Sequence, residues 1–229
     1  MEVKIDDLVL PGDIFTPNKP PKNVIVLGPG LRRFEETNEL LITKSGFLKH
    51  KQPSIYWIDC NQSKYIPKRG DFVVGIVSRK AGEIFKVDIG SAEQASLSVY
   101  AFEGATKRQK PDIRIGDAVF ARVLSARKEM EPDLVCVDRQ MKSRSVGKLP
   151  AGGLIVTIPM SLAYRLLSGE NELLQTMGKK NAFEVAIGVN GRIWINARTP
   201  SLVLRIMNAL ASVDGQSNKS INDLCRRQK

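Results

Sequence analysis

The fold of the middle of the chain is decided by residues 70–108, GDFVVGIVSRKAGEIFKVDIGSAEQASLSVYAFEGATKR. Short apolar runs alternate here with polar residues, and Gly and Asp separate the runs, which is the pattern of β-strands joined by turns. The same pattern continues beyond this stretch. We predict five strands, at residues 72–78, 84–89, 95–100, 118–124 and 134–138. Five short strands of this kind are typical of a closed barrel of the OB type.

The regions on either side of the predicted barrel show different patterns. At the N-terminal side, short apolar runs are separated by Gly, Pro, Asn and Ser, which predicts a small β domain. At the C-terminal side, the pattern predicts helices, a strand hairpin, a long helix that begins at Pro200 and a short basic helix at 221–229. The predicted fold is therefore mainly β plus α+β, in three domains: a small β domain at 1–66, an OB-type barrel at 67–147 and an α+β domain at 148–229.

The charge of the chain is large and unevenly distributed. Lys and Arg number 35 against 24 Asp and Glu, which gives a formal charge of +11. Residues 1–66 carry 9 cations and 8 acids (+1), residues 67–147 carry 15 and 11 (+4), and residues 148–229 carry 11 and 5 (+6). This excess predicts a polyanionic partner: RNA, DNA, an acidic membrane surface or an acidic protein. We expect the near-neutral first region to contact protein and the other two to face the polyanion.

Two pairs of cationic residues lie where a barrel of this type contacts nucleic acid. We place Arg79 and Lys80 in the loop between the first and second predicted strands, and Arg127 and Lys128 in the loop between the fourth and fifth. In OB barrels these two loops rim the nucleic-acid face. Contact with RNA phosphates is the interpretation that we favour, and two solvated hairpin tips are the alternative.

A third basic cluster consists of Lys107, Arg108 and Lys110, and both RNA contact and simple solvation are open for it. Aromatic side chains that could stack on bases are few. The candidates are Phe72, Phe85, Tyr100 and Phe102, of which we expect Phe85 in the barrel core. With little stacking, binding would depend on phosphate contacts, which tolerate many sequences and weaken with salt.

Several classes of protein are disfavoured by the sequence. No apolar run approaches the roughly 20 residues that a membrane span needs, and MEVKIDDLVL lacks the features of a secretory signal. Cys60, Cys136 and Cys225 lie far apart without CxxC spacing, which indicates neither a disulfide framework nor a zinc site. We therefore expect a protein of the cytosol or nucleus with no metal and no cofactor, and we interpret the single histidine, His50, as a solvated residue.

Several motifs together resemble one family. The middle stretch resembles an S1-type OB domain, and AFEVAIGVNGRIWINA, residues 182–197, resembles a KH domain of an unusual kind. The resemblance extends to LVLPGD at 8–13, GPGLRR at 28–33 and MEPDLVCVD at 130–138. A β module, an S1 domain and a KH domain in this order resemble the cap subunits of the eukaryotic RNA exosome, most closely those of the ribosomal-RNA-processing protein 40 type. The resemblance covers nearly the whole chain.

The resemblance implies a non-catalytic subunit that binds RNA. In that family, cap subunits sit on a ring of RNase PH-like proteins and help to form the pore through which RNA enters. The RNA then passes to a separate catalytic nuclease for 3′-to-5′ processing and degradation. The implied partners are RNA, the ring subunits, other cap subunits and that nuclease, without a membrane, in the nucleus with its nucleolus and in the cytoplasm.

The glycine turn of the KH-like region departs from the ordinary pattern. KH domains clamp a nucleic-acid backbone with a GxxG loop, whose middle positions are usually basic. Here Gly188 and Gly191 enclose Val189 and Asn190, and neither is cationic. The cap family is similar in carrying a GxNG form, and Asn-Gly is common in tight hairpin turns. We interpret Gly188, Asn190 and Gly191 as a structural turn, with RNA clamping as the alternative, and we expect Trp194 to be a packing residue.

A nuclease site would need clustered carboxylates for metal ions or a histidine pair for acid–base catalysis. Asp71, Asp88, Asp117 and Asp138 are instead spread over separate predicted strands, and no GxxxxGK[ST], HExxH or GxSxG motif is present. The sequence therefore favours non-catalytic binding. A translation or ribosome-assembly factor is the first alternative, because OB and KH modules recur there, and a stand-alone RNA-degrading enzyme is the second.

Overall fold

The computed structural model describes residues 4–16, 26–34, 39–51, 55–60, 64–127, 129–138, 140, 142–143, 145–168 and 173–212. The chain divides into two compact units, residues 1–62 and residues 63–229, and each is described by itself. None of the helices in the described part has the length and apolar character to cross a membrane. The short basic helix expected at 221–229 lies outside the described residues.

The first unit is the small β domain that the sequence predicts. Its strands are β1 (Leu8–Val9), β2 (Ile14–Phe15), β3 (Val26–Leu27), β4 (Leu31–Arg33), β5 (Leu40–Ile42), β6 (Gly46–Lys51) and β7 (Ile55–Asp59). They form two sheets, with the orders β1-β6-β7-β3 and β2-β5-β4. Leu40, Ile42, Leu48 and Ile58 are almost wholly buried in its core. His50 lies on β6, with its ring 4.6 Å from that of Tyr56.

The second unit begins with a closed five-stranded barrel, which confirms the predicted fold. The strands are β8 (Phe72–Ala81), β9 (Ile84–Asp88), β10 (Ala95–Phe102), β11 (Ala118–Arg127) and β12 (Met130–Cys136). They follow the order β12-β10-β9-β8-β11, and a further pairing of β12 with β11 closes the barrel. A short strand that was not predicted, β13 (Gly147–Lys148), pairs with β11.

Every second side chain along the strands points inward, and these side chains fill the barrel. Val73 and Val77 of β8 are buried, as are Val119, Ala121 and Val123 of β11. The residues between them on β11 point outward, because neighbouring side chains of a strand lie on opposite faces. Phe85, which was expected in the core, is 1% exposed.

The unit ends with the α+β region. Its elements are β14 (Leu154–Thr157), α1 (Met160–Leu167), α2 (Leu173–Lys180), β15 (Phe183–Ile187), β16 (Arg192–Ala197) and α3 (Pro200–Ser212). The three strands form a sheet in the order β14-β16-β15. Ile193 and Ile195 of β16 share a core with Leu162 of α1 and with Ile206 and Leu210 of α3, so the helices cover the sheet. Trp194 is also buried. The turn between β15 and β16 carries the GVNG sequence.

Candidate nucleic-acid interface

The first cationic pair lies on a strand. β8 continues to Ala81, and only Gly82 and Glu83 separate it from β9, so Arg79 and Lys80 belong to β8. Placing them in the loop was wrong, because β8 extends past residue 78 after an irregularity in its register with β9 between Val77 and Arg79. Both cationic side chains are exposed. The Lys80 ammonium lies 5.4 Å from the centroid of the Phe85 ring.

The second cationic position also lies on a strand. Arg127 is the last residue of β11, is exposed and pairs across the hairpin with Met130 of β12. Lys128 lies outside the described residues. Within the described part of the chain, no ion pair or side-chain hydrogen bond engages Arg79, Lys80 or Arg127. These three residues are called the hairpin cations below.

An ion pair links the two hairpins. Lys86 of β9 lies opposite Arg79 in the register, and its ammonium contacts the carboxylate of Glu131 on β12. Glu131 follows Met130, the residue that pairs with Arg127. The ion pair therefore joins the two hairpins that carry the hairpin cations, and Arg79 lies beside it, next to the outer face of β9 and β10.

The outer face of β9 and β10 is itself not basic. Four side-chain pairs lie on or beside it: Lys86–Glu131, Ser96–Asp133, Tyr100–Glu83 and Arg192–Asp88. A further cation, Lys110, lies 3.6 Å from Glu83. The Tyr100 hydroxyl donates to Glu83, which raises the pKa of that hydroxyl. Three cations and four carboxylates leave these residues with a formal charge of −1, so together they give this face no net attraction for a phosphate.

The third basic cluster is divided. The Thr106 N–H donates to the Gln109 carbonyl (2.9 Å), and the Gln109 N–H donates to Thr106 Oγ1 (3.0 Å). The turn that these bonds close presents Lys107 and Arg108 to solvent. Lys110 instead faces Glu83. Two of the three cations are therefore exposed at a turn, and the third lies beside a carboxylate.

The GVNG turn, residues 188–191, is buried against the barrel. Asn190 is 8% exposed; its Nδ2 donates to the carbonyls of Val74 (2.9 Å) and Ile89 (2.8 Å), and its Oδ1 accepts the Val74 N–H (3.3 Å). The Val189 N–H donates to the Phe72 carbonyl (2.8 Å). Asn190 is the one buried polar residue in the described ranges, and it joins the KH-type region to β8 and to the end of β9.

The residues that flank Asn190 fit the same contact. A Cβ on Gly188 would lie 2.6 Å from the Val74 nitrogen, which real structures essentially never show, and Gly191 has a φ of +74°, which favours glycine. Arg192, which follows the turn, donates to the carbonyl of Asp88 (2.6 Å) and to its carboxylate (2.9 Å). Partial burial acts to raise the pKa of Asp88, but hydrogen bonds from Arg192 and from the Gly90 N–H outweigh it and hold that pKa below its usual value.

The sequence did not identify Arg192 or the ring of Phe120, which stacks on Phe72. The period-two pattern of β11 would have placed Phe120 on the outside, but a single cation after a turn carries no comparable signal. Across the described residues, no group of three or more His, Cys, Asp or Glu side chains is arranged to hold a metal ion.

Comparison with known families assigns all three regions. Residues 65–147 match the family described as exosome complex component RRP40, S1 domain. Residues 153–201 match a KH domain family, and residues 6–61 match the family described as mammalian exosome complex component RRP40, N-terminal.

Relatives match over most of the chain. Exosome complex component RRP40 of Mus musculus is 40% identical over 212 residues, which cover 90% of this chain and 77% of the relative. The protein of the same name from Bos taurus is 42% identical over 196 residues, 83% of this chain and 70% of the relative.

A crystal structure of a protein assigned as an exosome complex RNA-binding protein shares the fold. Its TM-score is 0.57 at 23% identity, and the match covers 72% of this chain and 97% of that protein. Because three matched domains follow one another in a single order and the identity to the Mus musculus relative reaches 40% over 90% of this chain, the chain belongs to the RRP40 family of exosome complex components.

Proposed function

We propose that this chain is a non-catalytic RNA-binding cap subunit of the RNA exosome that helps to form the pore through which RNA enters and stabilises the ring. The observation that carries the proposal is the placement of the hairpin cations. Arg79, Lys80 and Arg127 are exposed at two linked hairpins and form no ion pair with the described residues, in a chain of the exosome family.

The hairpin cations suit a subunit that guides many RNAs. A cation that contacts a phosphate reads no base, so its contribution is similar for all sequences. Each phosphate contact on a single strand releases counterions and steepens the dependence of the logarithm of the binding constant on the logarithm of salt by about 0.7. The proposal therefore predicts binding that is sequence-tolerant and strongly weakened by salt.

The first unit is proposed to dock on the RNase PH-like ring. Six large apolar side chains of this unit are nearly half exposed or more: Ile5, Leu8, Leu10, Ile14, Phe34 and Phe47. Leu8 and Phe47 face each other in the register of β1 and β6, so they lie on the same side of the sheet. Exposed apolar patches commonly mark protein interfaces. We also propose other cap subunits and the catalytic nuclease as partners. The proposed location of the protein is the nucleus, with its nucleolus, and the cytoplasm.

The proposal is tested by reversing the charge of the hairpin cations. We expect the triple variant Arg79→Glu, Lys80→Glu, Arg127→Glu to bind single-stranded RNA at least roughly 10-fold more weakly, with a flatter salt dependence. The measurement is a fluorescence-anisotropy titration of the full chain at several salt concentrations. The control variant Arg114→Glu, Arg198→Glu, Arg205→Glu has the same net charge and changes exposed residues elsewhere in the same unit.

Two outcomes would contradict the proposal. If both triple variants lose the same affinity, net charge and not the hairpin position governs binding. A second measurement is the protection of RNA from added nuclease by the assembled complex. If the hairpin-cation variant assembles normally and protects RNA as well as the unaltered chain does, the hairpin cations do not contact RNA in the complex. Purification of the tagged full chain identifies the assembly: RNase PH-like partners support the exosome, and ribosomal subunits support the translation or ribosome-assembly alternative.

A further inference from the structure

A stacked aromatic pair lies on a second outer face of the barrel, formed by β8 and β11. The Phe72 and Phe120 ring centroids are 5.9 Å apart, with 25° between the ring planes. Phe120 alternates with the buried Val119 and Ala121 and therefore points outward. Arg122 lies directly opposite Phe72 in the register of the two strands. The pair and Arg122 thus form one row on the outside of the barrel.

Phe72 is the most exposed aromatic side chain of the barrel in the described residues. It is 43% exposed, whereas Phe85 and Phe102 are buried and the hydroxyl of Tyr100 is bonded to Glu83. The backbone of Phe72 is fixed, because its carbonyl accepts the Val189 N–H. A large apolar ring is therefore held in place with one side supported by Phe120 and much of its surface in water.

We propose that Phe72, supported by Phe120, is a stacking platform for a base of single-stranded RNA. This inference rests on the proposed function and adds a second kind of contact to the hairpin cations. Proteins that hold single strands without reading their sequence combine phosphate contacts with aromatic rings on which bases stack, and every base has a flat face for such stacking. The outer face of β9 and β10 offers no comparably exposed aromatic ring in the described part of the barrel.

The charges beside the platform favour a base over a phosphate. The Arg122 guanidinium lies 4.0 Å from the Asp138 carboxylate, so the charge of the cation opposite Phe72 is balanced. Along β11 the outward row runs from Phe120 through Arg122 to Leu124, so a charged pair interrupts the apolar surface. Such a surface suits one flat ring better than the continuous apolar side of a protein segment. Binding at this platform is therefore insensitive to salt.

The test uses the full chain and a single-stranded RNA that carries one fluorescent adenine analogue, whose emission is quenched when it stacks. We expect Phe72→Ala and Phe72→Leu to weaken binding roughly 5- to 100-fold and to reduce the quenching, without changing the salt dependence. Phe72→Trp should retain both signals. Phe72→Leu keeps an apolar side chain and so separates stacking from simple apolar cover. Ile115→Ala, which alters a 66% exposed apolar residue of the same domain, is the control and should change neither signal.

The outcomes separate this inference from the proposed function. If the unaltered chain binds no RNA, the proposed function fails and the platform fails with it. If the chain binds RNA and loses affinity when the hairpin cations are reversed, but Phe72→Leu keeps full affinity and quenching, only the platform is overturned. If Phe72→Leu keeps its RNA affinity but no longer enters the exosome, the ring contacts protein and the inference is overturned.

Discussion

Two hairpins of this molecule lie where their domain types contact nucleic acid, and their chemistry differs. The β8–β9 hairpin carries Arg79 and Lys80, which are exposed and form no ion pair in the described structure. The GVNG turn carries no cation, and its central Asn190 is buried with three hydrogen bonds to barrel backbone. The first hairpin has charge available to a ligand, whereas the polar groups of the GVNG turn are bonded within the protein.

The difference shows that a motif's spacing does not decide its role. A GxxG loop can clamp a phosphate backbone only when its N–H groups are accessible, but here the Val189 N–H is bonded to the Phe72 carbonyl. The turn instead joins the KH-type region to the S1-type barrel within one unit. That connection fixes the position of β8, the strand that carries both the hairpin cations Arg79 and Lys80 and the exposed Phe72.

Of the changes at or beside the GVNG turn, Asn190→Ala should lower the stability of the protein most. It removes three hydrogen bonds and leaves the Val74 N–H and the carbonyls of Val74 and Ile89 buried without their partner, which we expect to lower the free energy of unfolding by about 3 kcal/mol. The free energy of unfolding is measured by denaturant titration followed by the fluorescence of Trp194. A Trp57→Phe background removes the signal of the other tryptophan.

Asn196→Ala is the matched control for this change. Asn196 lies on the same hairpin, and its amide has only a long, exposed contact (3.4 Å) with Glu184. We expect it to change the unfolding free energy by less than about 0.5 kcal/mol. A normal unfolding midpoint for Asn190→Ala with a large loss of RNA affinity would show that the turn is a clamp.

Val189→Lys should lower stability less, and it directly tests the difference in charge between the two hairpins. It gives the turn the cation that ordinary GxxG loops carry in their middle positions. Val189 is 9% exposed and packs with the barrel core, so the ammonium would lose hydration and the unfolding free energy should fall by about 2 kcal/mol. RNA affinity should not rise. A gain in affinity with a steeper salt dependence would mean that the turn is accessible to phosphate.

The barrel could be predicted from sequence because its signals are local. Alternation within residues 72–78 and 118–124, with Gly and Asp at the turns, marks strands whatever their partners are. The end of β8 could not be placed, because Arg79 and Lys80 are as compatible with an exposed strand end as with a loop. The short strand at Gly147–Lys148 also left no pattern, since two residues are too few to alternate.

The role of the GVNG turn depends on contacts far apart in sequence. Asn190 bonds to Val74 and Ile89, which lie 116 and 101 residues away. Nothing in the local sequence distinguishes an asparagine that faces these groups from one that faces solvent. The same holds for Phe72 and Phe120, whose stacking follows from the register of β8 with β11 and not from either strand alone.

Asp88→Asn should have the smallest effect, and only at low pH. Hydrogen bonds from Arg192 and Gly90 hold the pKa of Asp88 in the folded chain below its value of about 3.9 in the unfolded chain. The carboxylate therefore contributes stability that is complete above pH 3.9 and is lost as the pH falls through the folded-state pKa. The contribution is less than about 1 kcal/mol because the side chain is 46% exposed.

The measurement is the difference in unfolding free energy between neutral pH and about pH 3, which should be smaller in Asp88→Asn than in the unaltered chain. Asp112→Asn, which alters an exposed pair with Arg114 at 3.8 Å, should leave that difference unchanged. An equal decrease in both variants would mean that Arg192 gains nothing from Asp88 beyond surface attraction. The hydrogen bonds of Asn190 and of the Val189 N–H would then join the two regions without help from the Asp88 carboxylate, whereas a selective decrease shows that the ion pair beside the turn shares that role.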